Sequence, residues 1–236
     1  MNDLIFILSM FFFLGSVLLT YKLFGKIGLF VFIAFATILA NIQVLKTVEI
    51  FGFTTTAGCV MYASTFLCTD ILSEKYGSKT AKKSVYLGLI VSILWLVGTQ
   101  VTIWFNPSDV DWSSDLIEGI FSVVPRVTIA SLVAYAISQS VDVFMYHKIW
   151  NKTDKLWLRN NGSTFVSQLV DSIIFFTIAF LGTMEISVLL SLIFTTYFFK
   201  IIVAFVDTPF IYLSKKIVPL DEVEENKENK EKLINE

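Results

Sequence analysis

The chain has 236 residues, 55% of them hydrophobic and 16% charged, with a formal net charge of −2 and a mean hydropathy of +0.72. Soluble domains carry about a quarter charged residues, so this composition excludes an ordinary soluble fold, and the lack of a basic excess excludes a nucleic-acid surface. Long continuous apolar runs specify an all-α integral membrane protein, a polytopic helical bundle; a β-barrel needs ~10-residue alternating segments instead.

A helical span needs ~20 apolar residues, and about seven transmembrane helices are predicted in chain order, near 4–24, 28–46, 55–74, 82–105, 119–147, 163–183 and 187–214. The first run follows Asn2-Asp3, has no basic residues before it and is longer than a signal-peptide core, so it is expected to remain as a helix. The third is preceded by EIFGFTTTAG, rich in Thr and Gly, which predicts a short broken or re-entrant entry. The transmembrane domain is expected over 1–218, with an N-terminal helix at about 4–24 added to a core at about 28–216, and a charged cytoplasmic tail over 219–236.

Lys and Arg fix the orientation. They gather after span 1 (Lys22, Lys26), after span 3 (Lys75, Lys79, Lys82, Lys83), after span 5 (Lys148, Lys152, Lys155, Arg159) and after span 7 (Lys215, Lys216). The intervening loops are acidic or uncharged except for Lys46 near Glu49. This alternation predicts an N-terminus outside and a C-terminus in the cytoplasm, in a multi-pass protein of the cell (inner) membrane.

Ionisable residues at membrane depth are costly and face a bundle interior or a cavity. Asp70 and Glu74 are four apart on span 3, and Phe66 lies one turn before. Span 5 carries Ser131, Tyr135, Ser138 and Asp142 as one stripe, with Gln139 beside it and Arg126 facing elsewhere unless the helix bends near Pro125. Span 6 has Thr164, Ser167, Gln168 and Asp171; span 7 has Tyr197, Lys200 and Asp207 on one face. At 1.5 Å per residue, Asp171 and Lys200 reach comparable depth, and Asp70, Asp142 and Asp207 cluster in the inner half.

Glu74 with Lys75 also reads as an interfacial pair, Asp142 as interfacial beside His147 and Lys148, and Asp171 with Lys200 as a structural ion pair. The Phe-rich runs MFFFLG and IIFFTIAF read as lipid-facing or packing residues. Polar faces on several spans nevertheless converge on one interior, which favours a hydrated cavity for a polar solute. Cys59 and Cys68 point to opposite sides of one helix and read as buried fillers. There is no catalytic set, nucleotide motif or metal motif, so neither an enzyme nor a cofactor is expected.

The blocks FTTTAG (53–58), FLCTDILSEKYG (66–77) with Lys79 and Ala81, PRVTIASLVAYAISQSVD (125–142), STFVSQLVDSIIFFTIAF (163–180) and YFFK (197–200) with Pro209 resemble the queuosine-precursor transporter family, also called the vitamin uptake transporter family. The resemblance runs from about Asn41 to Lys215. It departs at Ala63, where relatives often carry proline, and in span 1, since many relatives have six spans. It implies import of 7-deazaguanine bases for tRNA modification: the cyano or aminomethyl precursor, or queuine. The expected substrate-binding residues are Asp70, Arg126, Gln139, Asp142, Gln168, Asp171 and Lys200, with Asn41, Thr55, Glu74, Tyr135, Tyr197 and Asp207 as secondary candidates. A carboxylate accepts both donors of a guanine-like edge; Asp171 is the first choice for it, with Lys200 balancing its charge or donating to O6.

The expected partners are the base and the lipid bilayer, with a coupling proton and a homo-oligomer left open. Two alternatives stand beside this reading. One is a substrate-binding subunit of an energised importer, docking through the Ala36-x-x-x-Ala40 face. The other is a secondary transporter of a different small polar solute.

Overall fold

A computed structural model describes residues 1–183 and 185–221; nearly all of the predicted tail lies outside the described residues. The elements in order are α1 (Asn2–Gln43), β1 (Thr47–Ile50), β2 (Phe53–Thr56), α2 (Cys59–Tyr76), α3 (Ser78–Trp104), α4 (Ser114–Phe121), α5 (Val124–Trp150), α6 (Leu156–Phe180) and α7 (Ile186–Lys216).

Helix α1 is not one rod. Helical geometry fails at Phe24 (φ −132°, ψ 15°) and Gly25 (φ 48°, ψ −132°), a combination that suits glycine. A straight helix of its 42 residues would be about 63 Å long, yet its first residues touch the segment after its last. The Asn2 amide donates to the Glu49 carbonyl at 2.9 Å, and Phe51 N–H donates to Asp3 Oδ1 at 2.7 Å. The two arms, 2–23 and 26–43, therefore run antiparallel, and they correspond to the first two predicted spans.

The predicted all-α fold needs a correction at 47–56. This segment is an antiparallel hairpin pairing Thr47 with Thr56 and Ile50 with Phe53. Its two-residue turn, Phe51-Gly52, has φ of 50° and 79°, the twist that closes a tight hairpin. β-branched Thr and Val supply the strands. Thr195 Oγ1 on α7 donates to the Thr54 carbonyl at 2.9 Å, and the Thr55 and Thr196 hydroxyls lie 3.4 Å apart, so the hairpin is docked on α7.

Helix α2 is the most polar of the long helices and sits at the centre. It packs against α1, α3, α5 and α7 and buries Cys59 to Ser73 almost without interruption. A helix carrying Asp70 and Glu74 has no other stable place in lipid. The surrounding helices turn large apolar side chains outward, among them Phe11, Leu94 and Phe194. Among the described residues, five helices are long and apolar enough to cross a membrane, α1 being counted once and α2 not at all. The chain is a helical, multi-pass membrane protein.

The predicted fifth span is broken. The helix stops after Phe121 and restarts at Val124, with Pro125 in the first turn of α5 where its missing N–H is tolerated. The sixth begins earlier than expected, and its added turns bury Arg159, Asn160 and Asn161. The basic residues collect at the end holding the α1 kink, the α2–α3 junction and the C-terminus of α7, where Lys26 lies 5.8 Å from the Tyr76 ring. The hairpin and the acidic loop at 105–113 occupy the other end. Ala36 and Ala40 are buried in the core, so the small-residue face proposed for a docking partner is used inside the bundle.

Candidate functional site

Three buried polar layers stack along α2, at Tyr62, Asp70 and Glu74. They are about 12 Å and then 6 Å apart by helical rise.

The first layer is a cavity at the hairpin end, with about 580 Å³ of empty space when its open mouth is included. Its wall comes from the end of α1 (Thr37, Asn41), the start of α2 (Cys59, Tyr62), α5 (Ser131, Tyr135), α6 (Asp171, Phe175, Phe176) and α7 (Thr196, Lys200). Asp171 is its chemical centre. Its Oδ1 accepts from Tyr62 OH at 2.6 Å and Ser138 Oγ at 3.1 Å, and its Oδ2 accepts from Lys200 Nζ at 2.5 Å. Lys200 also donates to Ser172 Oγ at 3.3 Å and lies 5.0 Å from the Tyr62 ring centre, where the π face favours a cation. Three donors fix the carboxylate, while the Tyr135 hydroxyl and Asn41 Oδ1 remain unpartnered. Aromatic walls, a charged pair and spare polar atoms suit a flat, polar, heterocyclic ligand.

The second layer holds Asp70, Asp142 and Asp207, which are 1%, 0% and 1% exposed. Asp142 accepts from Ser167 Oγ at 3.0 Å and Asp207 from Asn160 Nδ2 at 2.7 Å. Gln139 donates to Thr65 Oγ1 at 3.2 Å, and Gln168 is buried with both amide atoms unpartnered. The third layer closes the basic end. Glu74 accepts from Arg159 Nη2 at 2.9 and 3.1 Å, from Lys215 Nζ at 2.8 Å and from Tyr146 OH at 3.0 Å. The Arg159 guanidinium stacks 4.1 Å from the Trp150 ring centre.

The predicted site residues thus separate. Asp171, Lys200, Tyr135 and Asn41 line the cavity, and Thr55 is bonded to its Thr196 wall. Asp70, Asp142 and Asp207 form the inner acidic layer. Glu74 sits in the third layer, and two residues lie apart from all three. Arg126 donates to the carbonyls of Ile178 (3.1 Å) and Leu181 (2.7 Å), capping the C-terminal end of α6. Tyr197 donates to the Phe165 carbonyl at 3.3 Å. Tyr62, Phe175, Phe176, Thr196, Arg159 and Asn160 were missed. The repeat 160, 164, 168, 171 carries Asn160 onto the polar face of α6 and signals its burial; Tyr62 gave only an apolar-run signal.

A helical membrane bundle enclosing a charged cavity defines the class. The chain belongs to the family described as "Putative vitamin uptake transporter", whose model matches residues 56–214. It is a transporter and not an enzyme. It is similar to a probable queuosine precursor transporter of Bacillus subtilis (strain 168), with 46% identity over 87% of this chain and 91% of that protein. It is also similar to the queuosine precursor transporter of Escherichia coli (strain K12), with 28% identity over 60% of this chain and 62% of that one. A probable queuosine precursor transporter of Haemophilus influenzae (strain ATCC 51907 / DSM 11121 / KW20 / Rd) is 25% identical over 55% and 54%. No solved structure matches the chain.

Proposed function

We propose that this protein imports queuosine precursors, 7-deazaguanine bases such as the 7-cyano or 7-aminomethyl form, across the inner membrane. The observation that carries the reading is the Asp171–Lys200 pair in the wall of a cavity that Tyr62 and Tyr135 also line. The relatives' names support the substrate class.

A 7-deazaguanine presents N1–H and an exocyclic amine as adjacent donors and O6 as an acceptor. Asp171 meets the donor edge, the base taking the place of the Tyr62 or Ser138 hydroxyl. Lys200 pairs with the carboxylate and donates to O6. Tyr62, Tyr135 and Phe176 flank the ring plane, and Asn41 Oδ1 is a free acceptor for a 7-aminomethyl group.

Seven passes account for the architecture: the two arms of α1, then α2, α3, α5, α6 and α7. The basic end faces the cytoplasm. The cavity then opens outward, and the Glu74–Arg159–Lys215 cluster closes the inner side. The purified protein is expected to bind 7-aminomethyl-7-deazaguanine in calorimetry, and Asp171→Asn to weaken that binding at least 100-fold, as loss of a charged bidentate contact implies. Unchanged binding in the variant contradicts the assignment.

A further inference from the structure

Asp70 is more than nine-tenths buried, and neither of its carboxyl oxygens accepts a hydrogen bond from the protein. It faces the Asp142 carboxyl at hydrogen-bonding range. Asp142 Oδ2 is likewise unpartnered, and so is Oδ1 of Asn160, whose amide nitrogen points into the same cluster at Asp207. The Asp70–Asp142 pair thus holds three buried oxygens that no donor meets, an arrangement native interiors avoid.

No neighbouring cation fills the gap. The two buried cations of the described residues are committed elsewhere, Arg159 to Glu74 and Lys200 to Asp171. The titratable groups facing Asp70 are Asp142 and Tyr146 on α5, Asp207 on α7, and Cys68 and Glu74 on its own helix. Helices α1 and α3 also pack on α2; they bury no charged residue there, and Tyr21 is the one buried titratable side chain they hold. Two carboxylates in mutual contact repel unless a proton lies between them, which turns one into the missing donor.

The same two helices reach the cavity. On α2, Tyr62 bonds Asp171 two turns before Asp70; on α5, Ser138 bonds Asp171 one turn before Asp142. The helices that hold the carboxyl pair are therefore also the ones bonded to Asp171.

We propose that the Asp70–Asp142 pair binds the exchangeable proton that drives uptake. This rests on the import reading above for the cargo, but not for the proton site itself. The proton is taken up by one carboxylate from the cavity side and released, as a proton, toward the basic end. Nothing else is consumed.

Infrared spectroscopy of the purified full chain tests the site without cargo. A carboxylic-acid C=O band that shifts in D2O is expected in the wild type, and its loss in both Asp70→Asn and Asp142→Asn. A wild type without that band, or variants that keep it, overturns the proposal. Proteoliposomes holding a trapped pH dye then test coupling. External 7-aminomethyl-7-deazaguanine should acidify the lumen, and protons entering per base carried should fall at least tenfold in Asp142→Asn. An undiminished ratio, or accumulation driven by a sodium gradient at equal pH, overturns the coupling. A wild type that shows the infrared band yet carries no base defeats the import reading, and the coupling with it, and leaves the protonated pair demonstrated.

Discussion

Replacing Glu74 by Gln should unlock the basic end of the bundle. The Glu74 and Arg159 side chains are 6% and 4% exposed, so their pairing is a buried ion pair and not a surface one. Removing one partner of such a pair typically costs about 3–5 kcal/mol, because a charge stays behind in a dry site. Two features reduce the figure here. Arg159 remains stacked on Trp150, and Lys215, the third partner, is 46% exposed and contributes about 0.2–1 kcal/mol by itself. The expected loss is therefore about 3 kcal/mol. For a chain of this length that is a fall in Tm of about 6–12 °C, read from thermal unfolding in detergent. Arg159→Met should cost a similar amount, and the Glu74→Gln/Arg159→Met double variant little more than either alone. Additive losses, or a Glu74→Gln shift under 2 °C, would refute the closed inner layer.

Further predictions follow from single contacts. A Cβ at Gly88 would come 2.4 Å from the Tyr135 hydroxyl and 2.7 Å from its ring, so Gly88→Ala should drive Tyr135 into the cavity and raise the Kd for the base at least tenfold, as calorimetry would show. Arg126→Gln should cost about 1–3 kcal/mol of stability by freeing two carbonyls at the end of α6, with the Kd for the base unchanged. In the loop at 105–113, Asp111 accepts from the Ser113 and Ser114 backbone and hydroxyls, which hold its carboxyl below the usual carboxylate range. Its ordering of that loop is present above the unfolded carboxylate pKa and is lost as pH falls through the lowered folded value. Asp111→Ala should abolish that ordering at neutral pH, visible as faster amide exchange over 111–121.

Much of this was legible because lipid penalises polar groups so heavily. The depth estimate placed Asp171 level with Lys200, and the structure pairs them. It also grouped Asp70, Asp142 and Asp207, and all three are buried. The helix bounds were less legible. LWLRNN looked like a loop because Arg159 and two asparagines precede the apolar run, yet inside the bundle they donate to Glu74, Asp207 and Thr208. Arg126 pointed away from the polar stripe of α5, but its partners are backbone carbonyls of a distant turn, which no side-chain pattern reveals. The hairpin at 47–56 was half visible, as a Thr- and Gly-rich interruption whose pairing depends on the Phe51-Gly52 turn.

If Asp171 holds a 7-deazaguanine during import, tRNA reports on it most directly. The chain would be expressed in cells unable to make or import the precursor, each base supplied at nanomolar concentration, and queuosine in tRNA assayed beside Asp171→Asn at equal membrane expression. Queuosine should be restored by the wild type and lost in the variant. Queuosine restored equally by both would contradict the site, and none restored by the wild type with any base would contradict the function.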